Sequence, residues 1–114
     1  MKFNRHAVIL STALSLVLST SVLAADLAKG KEVYDKKCAM CHGKDLKGNA
    51  AMAKTFKLEP KELSLQASDI GAKSDADLIA VTAKGEKKMP AFEGKLSAEE
   101  IANSIAYIRS ASPK

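Results

Sequence analysis

Cys38-Ala39-Met40-Cys41-His42 is the stretch on which the reading of this chain turns. Two thiols are separated by two residues, and an imidazole follows the second at once. Thiols at this spacing can each add to a vinyl group on one edge of a haem, while the adjacent histidine swings its ring under the iron as proximal ligand. Neutral imidazole is a good ligand for iron, and thioether bonds make the haem non-dissociable. Three other chemistries compete for the same residues. A disulfide between Cys38 and Cys41 would close only a tiny loop, constrain little, and leave His42 unexplained. A thioredoxin-like redox pair needs a βαβ context. A zinc site would hold three ligands here and lack a second Cys or His pair to complete the tetrahedron.

Upstream of this motif, residues 26–37 contain no proline and many helix formers, with Leu27, Val33 and Tyr34 apolar and Gly30 between them, which predicts a helix. Residues 1–25 carry the marks of a secretory signal peptide. Lys2 and Arg5 form a basic start, 7–18 an apolar run, and Val22-Leu23-Ala24 or Leu23-Ala24-Ala25 a small-residue cleavage site. A spanning anchor needs about 20 apolar residues, whereas Ser11, Thr12, Ser15, Ser19 and Thr20 interrupt this run. The expected product is one domain, residues 26–114, exported to a bacterial periplasm, without stable membrane insertion and monomeric. No cysteine stands at the cleavage site to take a lipid.

Loss of the leader removes His6, so His42 becomes the only histidine, and Cys38 and Cys41 are the only cysteines. It also removes two of 18 basic residues and none of the 13 acidic ones, leaving a formal charge of +3. With Arg109 as its single arginine, such a domain has no nucleic-acid footprint. A domain of about 90 residues with few aromatics and no tryptophan has little material for a self-sufficient core, which itself argues for a cofactor, a metal or a disulfide.

Downstream, 43–59 is rich in Gly, Asn, Lys and Asp and reads as an irregular segment with one turn of helix around 50–54. Pro60 then opens a short helical piece over 61–67. Ser74 with Asp77 resembles a capping box, starting a helix of about 11 residues that stops at Gly85. Ser97 with Glu100 repeats the signature, and Ile101, Ile105 and Ile108 mark one face of a helix ending near 110–113. No segment alternates with period two, so the domain is expected to be all-α.

The iron needs a sixth ligand, and with one histidine left, two imidazoles from this chain are excluded. Three methionines remain after the leader. Met40 lies between the cysteines and cannot reach the opposite haem face. Met89 sits in the loop Gly85-Glu86-Lys87-Lys88-Met89-Pro90-Ala91-Phe92, where Pro90 stiffens an extended approach of the thioether. Met52 lies ten residues after His42 in a weakly structured segment. Met89 is the better candidate on these grounds; Met52 and an open sixth position are the alternatives, since most methionines are core fillers.

Over 27–108 the chain resembles the class I c-type cytochromes, the monohaem cytochrome c family. Gly30, Tyr34 and Cys38 keep the register in which a glycine and an aromatic residue four apart precede the first cysteine. The resemblance implies a cytochrome c-like fold of three to four short helices around one covalently bound haem c, with Gly30 letting the first helix cross the last near Tyr107. It also implies Cys38 and Cys41 as attachment points and His42 and Met89 as axial iron ligands. One departure stands out. Many relatives have a proline carbonyl soon after the histidine that accepts its ring N–H, and here no proline occurs until Pro60, so the acceptor is either that carbonyl or another backbone oxygen.

An iron with both axial positions filled by protein has no open site for dioxygen or peroxide, and it passes electrons. No nucleophile, free histidine or carboxylate pair is placed for catalysis, so no enzyme activity is expected. Lys84, Lys87 and Lys88 before Met89, with Lys44 and Lys47 after the motif, predict a cationic rim suited to redox partners with acidic docking faces. Two other functions use the same residues: a haem sensor whose Met89 yields to a small gas, and a cytochrome subunit dedicated to one periplasmic oxidoreductase.

Overall fold

The computed structural model describes residues 25–114, so the expected leader, apart from Ala25, lies outside the described residues. Six α-helical segments and one 3-10 turn follow in order: α1 Leu27–Lys37, α2 Ala39–His42, α3 Ala50–Phe56, the 3-10 turn Pro60–Leu63, α4 Ala67–Ile70, α5 Asp75–Lys84 and α6 Ala98–Ala111. Among the described residues there is no strand, only two isolated bridges, Glu86 with Met89 and Glu93 with Leu96. The all-α expectation holds. Two of the six segments, α2 and α4, are single turns, so four helices exceed one turn.

The helix starts follow from local chemistry. Asp26 accepts from the Lys29 amide, Ser74 from that of Asp77 and Ser97 from that of Glu100, each side chain satisfying an amide that the first turn leaves free. In the last two cases the acidic residue at the third position also accepts from the cap's own N–H, completing the capping box.

Two segments depart from the sequence-based expectation. The single turn expected over 50–54 extends to Phe56, because the Asn49 side chain accepts from both Ala51 and Met52 amides and Lys57 closes the end in the left-handed region. The helical piece expected over 61–67 stops at Leu63, and Ser64 and Gln66 are extended before α4 begins. The physical reason is that this backbone spends its bonds at a distance: Leu65 N–H donates to the Leu46 carbonyl (2.8 Å) and Ala67 N–H to the Pro113 carbonyl (3.0 Å).

The first and last helices pack directly against each other and form the main tertiary contact. A Cβ built on Gly30 would stand 2.1 Å from the Asn103 carbonyl oxygen, so only a residue without a side chain permits this crossing. Beside it the Tyr34 and Tyr107 rings meet at a centroid distance of 5.5 Å with their planes tilted by 54°. Tyr34 is completely buried and joins Ala39, Leu46, Ile70, Ile105 and Ile108 in one cluster. Cys38 packs against that cluster, so the haem motif is built onto the core.

Arg109, the only arginine of the described residues, closes the other side. Its Nε donates to Asp75 (2.7 Å) and its terminal nitrogens to the Ile70 and Lys73 carbonyls, holding the end of α6 against the α4–α5 corner.

Candidate haem site

Cys38 follows α1 directly, and its backbone N–H donates to Tyr34 (2.9 Å), so the first thiol is fixed by the end of that helix. The chain then makes one further turn, α2, in which the amides of Cys41 and His42 both point at the Cys38 carbonyl (3.2 and 3.0 Å). This short turn brings Cys38, Cys41 and His42 together. Both thiols are free and half-buried. Burial first, and the neighbouring Cys41 second, push the Cys38 thiol up to about 11, so it stays protonated.

The His42 ring is half-buried, and its Nδ1 lies 2.7 Å from the Leu63 carbonyl. A carbonyl only accepts, so Nδ1 carries the proton and Nε2 the lone pair. Nε2 has no hydrogen-bond partner among the described residues and is not sealed in the core either, so that lone pair faces outward. Burial lowers the His42 pKa and the bond to Leu63 works against it, with burial the larger influence. The neutral ring is the ligand form.

The acceptor left open between the Pro60 carbonyl and another backbone oxygen is thus the carbonyl of Leu63, at the end of the 3-10 turn that Pro60 opens. No residue type signals it, since every residue has a carbonyl. The Tyr34 hydroxyl is a second support that sequence reading missed: it donates to the Gly43 carbonyl at 2.6 Å, directly after His42.

The other candidate ligands occupy different settings. Met40 is 68% exposed, the most exposed large apolar side chain among the described residues. Met52 is half-buried on α3. Met89 is half-buried in the α5–α6 loop, on a separate segment from the cysteines and His42 and joined to them by no hydrogen bond among the described residues. That loop is nonetheless tied down. Met89 and Glu86 exchange backbone bonds (2.8 and 3.2 Å), and the amides of Phe92 and Glu93 return to the Thr82 and Ala83 carbonyls of α5 (3.1 and 3.0 Å). Gly85, at a φ of +74°, lets the loop fold back, since a Cβ there would meet the Met89 carbonyl at 2.7 Å.

The donor set fits a covalently held haem: two reduced thiols one turn apart and an imidazole with its outward nitrogen free. Among the described residues no group of three His, Cys, Asp or Glu side chains is placed to hold a metal ion. Lys44, Lys47, Lys84, Lys87 and Lys88 are all exposed, as are Asp45 and Glu86 between them. No helix of the described residues is long and apolar enough to cross a membrane.

Comparison with known proteins places the arrangement among relatives. A family profile described as cytochrome c oxidase, cbb3-type, subunit III matches residues 25–108. Cytochrome c6 of Thermosynechococcus vestitus is 38% identical over 100 residues, covering 87% of this chain and 82% of that protein. Cytochrome c6 of Synechocystis sp. is 35% identical over 92 residues, 80% of this chain and 70% of its own length. The solved cytochrome c6 of the diatom Phaeodactylum tricornutum superposes with a TM-score of 0.62 at 27% identity, over 76% of this chain and 94% of that one.

Proposed function

Because the chain belongs to the class I monohaem c-type cytochromes, a family of one-electron carriers with one haem c held by two cysteines, here Cys38 and Cys41, we propose that His42 and Met89 are its axial iron ligands. We further infer that it works as a soluble shuttle in the periplasm, monomeric, between redox partners with acidic docking faces, and that it is a carrier and not an enzyme. The bond from His42 Nδ1 to the Leu63 carbonyl at 2.7 Å carries this reading, because it leaves Nε2 as the free donor beside two reduced thiols.

The bound haem supplies reversible one-electron exchange between ferric and ferrous iron. The chain's own residues do the rest. Leu63 orients the His42 ring and raises the basicity of Nε2 by accepting its N–H. Gly85 and the return bonds to Thr82 and Ala83 hold the Met89 loop in one shape, so little rearrangement accompanies a change of charge. A thioether donor favours the reduced state and raises the potential relative to two imidazoles. The exposed lysines that flank the haem motif and Met89 in the sequence support steering toward acidic partners, which speeds encounter more than it tightens complexes.

An absorption spectrum of the purified protein, oxidised and reduced, together with its mass, tests the assignment. A c-type α band, a weak band at the red end from iron–sulfur bonding and a mass increase of one haem are expected. A reduced spectrum without the α band removes the haem reading, and a normal α band without the red band removes Met89.

A further inference from the structure

The Leu63 carbonyl that receives the His42 ring N–H stands next to a segment held from the far end of the chain. Two residues on, the Leu65 carbonyl lies 2.7 Å from the Ser112 hydroxyl, a contact spanning 47 residues. Four residues on, the Ala67 amide donates to the Pro113 carbonyl at 3.0 Å. Leu65 is pinned on its other side as well, its amide donating to buried Leu46 at 2.8 Å. The segment has no helix of its own to hold it, since Ser64 and Gln66 are extended. The Leu63 carbonyl is therefore held by the 3-10 turn before it and by a following segment anchored on Leu46, on the Ser64 hydroxyl's bond to Asp69 (2.7 Å) and on residues 112–113.

We propose that residues 112–113, which follow α6, form a clasp that positions Leu63 and thereby sets the strength of the His42 ring hydrogen bond. Ser112 is the side-chain part of it and Pro113 the backbone part; both are positioning residues and neither touches the haem ligands. The Ser112 hydroxyl also lies within bonding distance of the Ile108 carbonyl, so its one proton alternates between the end of α6 and Leu65. The backbone bond from Ala67 to Pro113 has no such alternative, and it ties α4 to the chain end. Loosening the clasp lets Leu63 withdraw, and the imidazole then donates less electron density to the iron. The ferric form loses more from that than the ferrous form, so the reduction potential rises.

This inference rests on His42 being an iron ligand. It is tested on the exported, haem-loaded protein in four forms: parent, a chain ending at Ala111, Ser112→Ala and Ser112→Thr. The readouts are the hyperfine-shifted proton resonances of the His42 ring, the exchange rate of its Nδ1–H, and the reduction potential. In the shortened chain, exchange of the ring N–H is expected to be faster than in the parent, as befits a ligand that has lost its supporting bond, and the potential higher. Ser112→Ala shifts both in the same direction by less, and Ser112→Thr restores them. If the shortened chain does not fold, Ser112→Ala alone decides. A merely structural tail lowers the thermal midpoint and leaves ring exchange and potential at parental values, and that result overturns the clasp. A parent protein without hyperfine-shifted imidazole resonances overturns the axial assignment, and the clasp with it.

Discussion

The Tyr34 hydroxyl donates to the Gly43 carbonyl at 2.6 Å, which couples the last turn of α1 to the residue that follows His42. Tyr34 is 0% exposed, and burial above all raises its pKa, so the phenol stays a donor at any physiological pH. Tyr34→Phe keeps the ring and leaves that carbonyl without its partner. The expected loss is about 1–2 kcal/mol of unfolding free energy in a denaturant titration. A variant as stable as the parent shows that water replaces the bond without cost.

Gly30→Ala tests the helix crossing. The added methyl faces the Asn103 backbone oxygen at 2.1 Å, an atom that cannot rotate away, so α1 and α6 must separate. A destabilisation of about 3 kcal/mol is expected from such overpacking, read as a lower thermal midpoint. An unchanged midpoint contradicts the close approach.

Met89→Ala distinguishes a closed carrier from a gas sensor. The reduced variant is expected to bind carbon monoxide rapidly at neutral pH and the oxidised variant to lack the red iron–sulfur band, while the reduced parent binds no carbon monoxide and the oxidised parent keeps the band. Rapid binding by the parent itself favours the sensor.

Charge steering predicts that electron transfer to an anionic acceptor slows steeply with added salt, because at about 0.1 M exposed charges more than roughly 10 Å apart are largely screened from each other. Replacing Lys84, Lys87 and Lys88 by Gln together lowers the rate at low salt and flattens the salt dependence. A flat dependence in the parent removes the cationic rim from the mechanism.

The His42 environment also sets a pH response. Its pKa in the folded chain lies below the ordinary 6.5, so on acidification the unfolded chain takes up a proton before the folded one. Stability is therefore full above the ordinary histidine range and declines as pH falls through about 6.5, and iron coordination acts in the same direction. Unfolding free energies measured across that window check the sign; a rise on acidification contradicts it.

Features whose chemistry is local were legible in the sequence. The capping boxes at Ser74 and Ser97 depend on a spacing of three residues, and both form. The Cys38-Cys41-His42 turn is likewise local, and Gly30 with Tyr34 could be read because their register with Cys38 resembles that of the family. The irregular middle was harder. Residues 60–67 carry a helix-like composition, yet Leu65 and Ala67 bond to Leu46 and Pro113, partners that no local pattern announces. The missing proline behind His42 had the same cause. A main-chain carbonyl does the work, and only the fold determines which one.

The crossing of α1 and α6 orders events in time. The Asp26 amide donates to the Asn103 side chain across 77 positions, and Tyr34 meets Tyr107 only when both ends of the domain are present. Closing so long a loop is an entropically late step. On the export proposed above, Cys38 and Cys41 precede the last helix, so attachment chemistry meets both thiols in open form before the crossing with α6 can form.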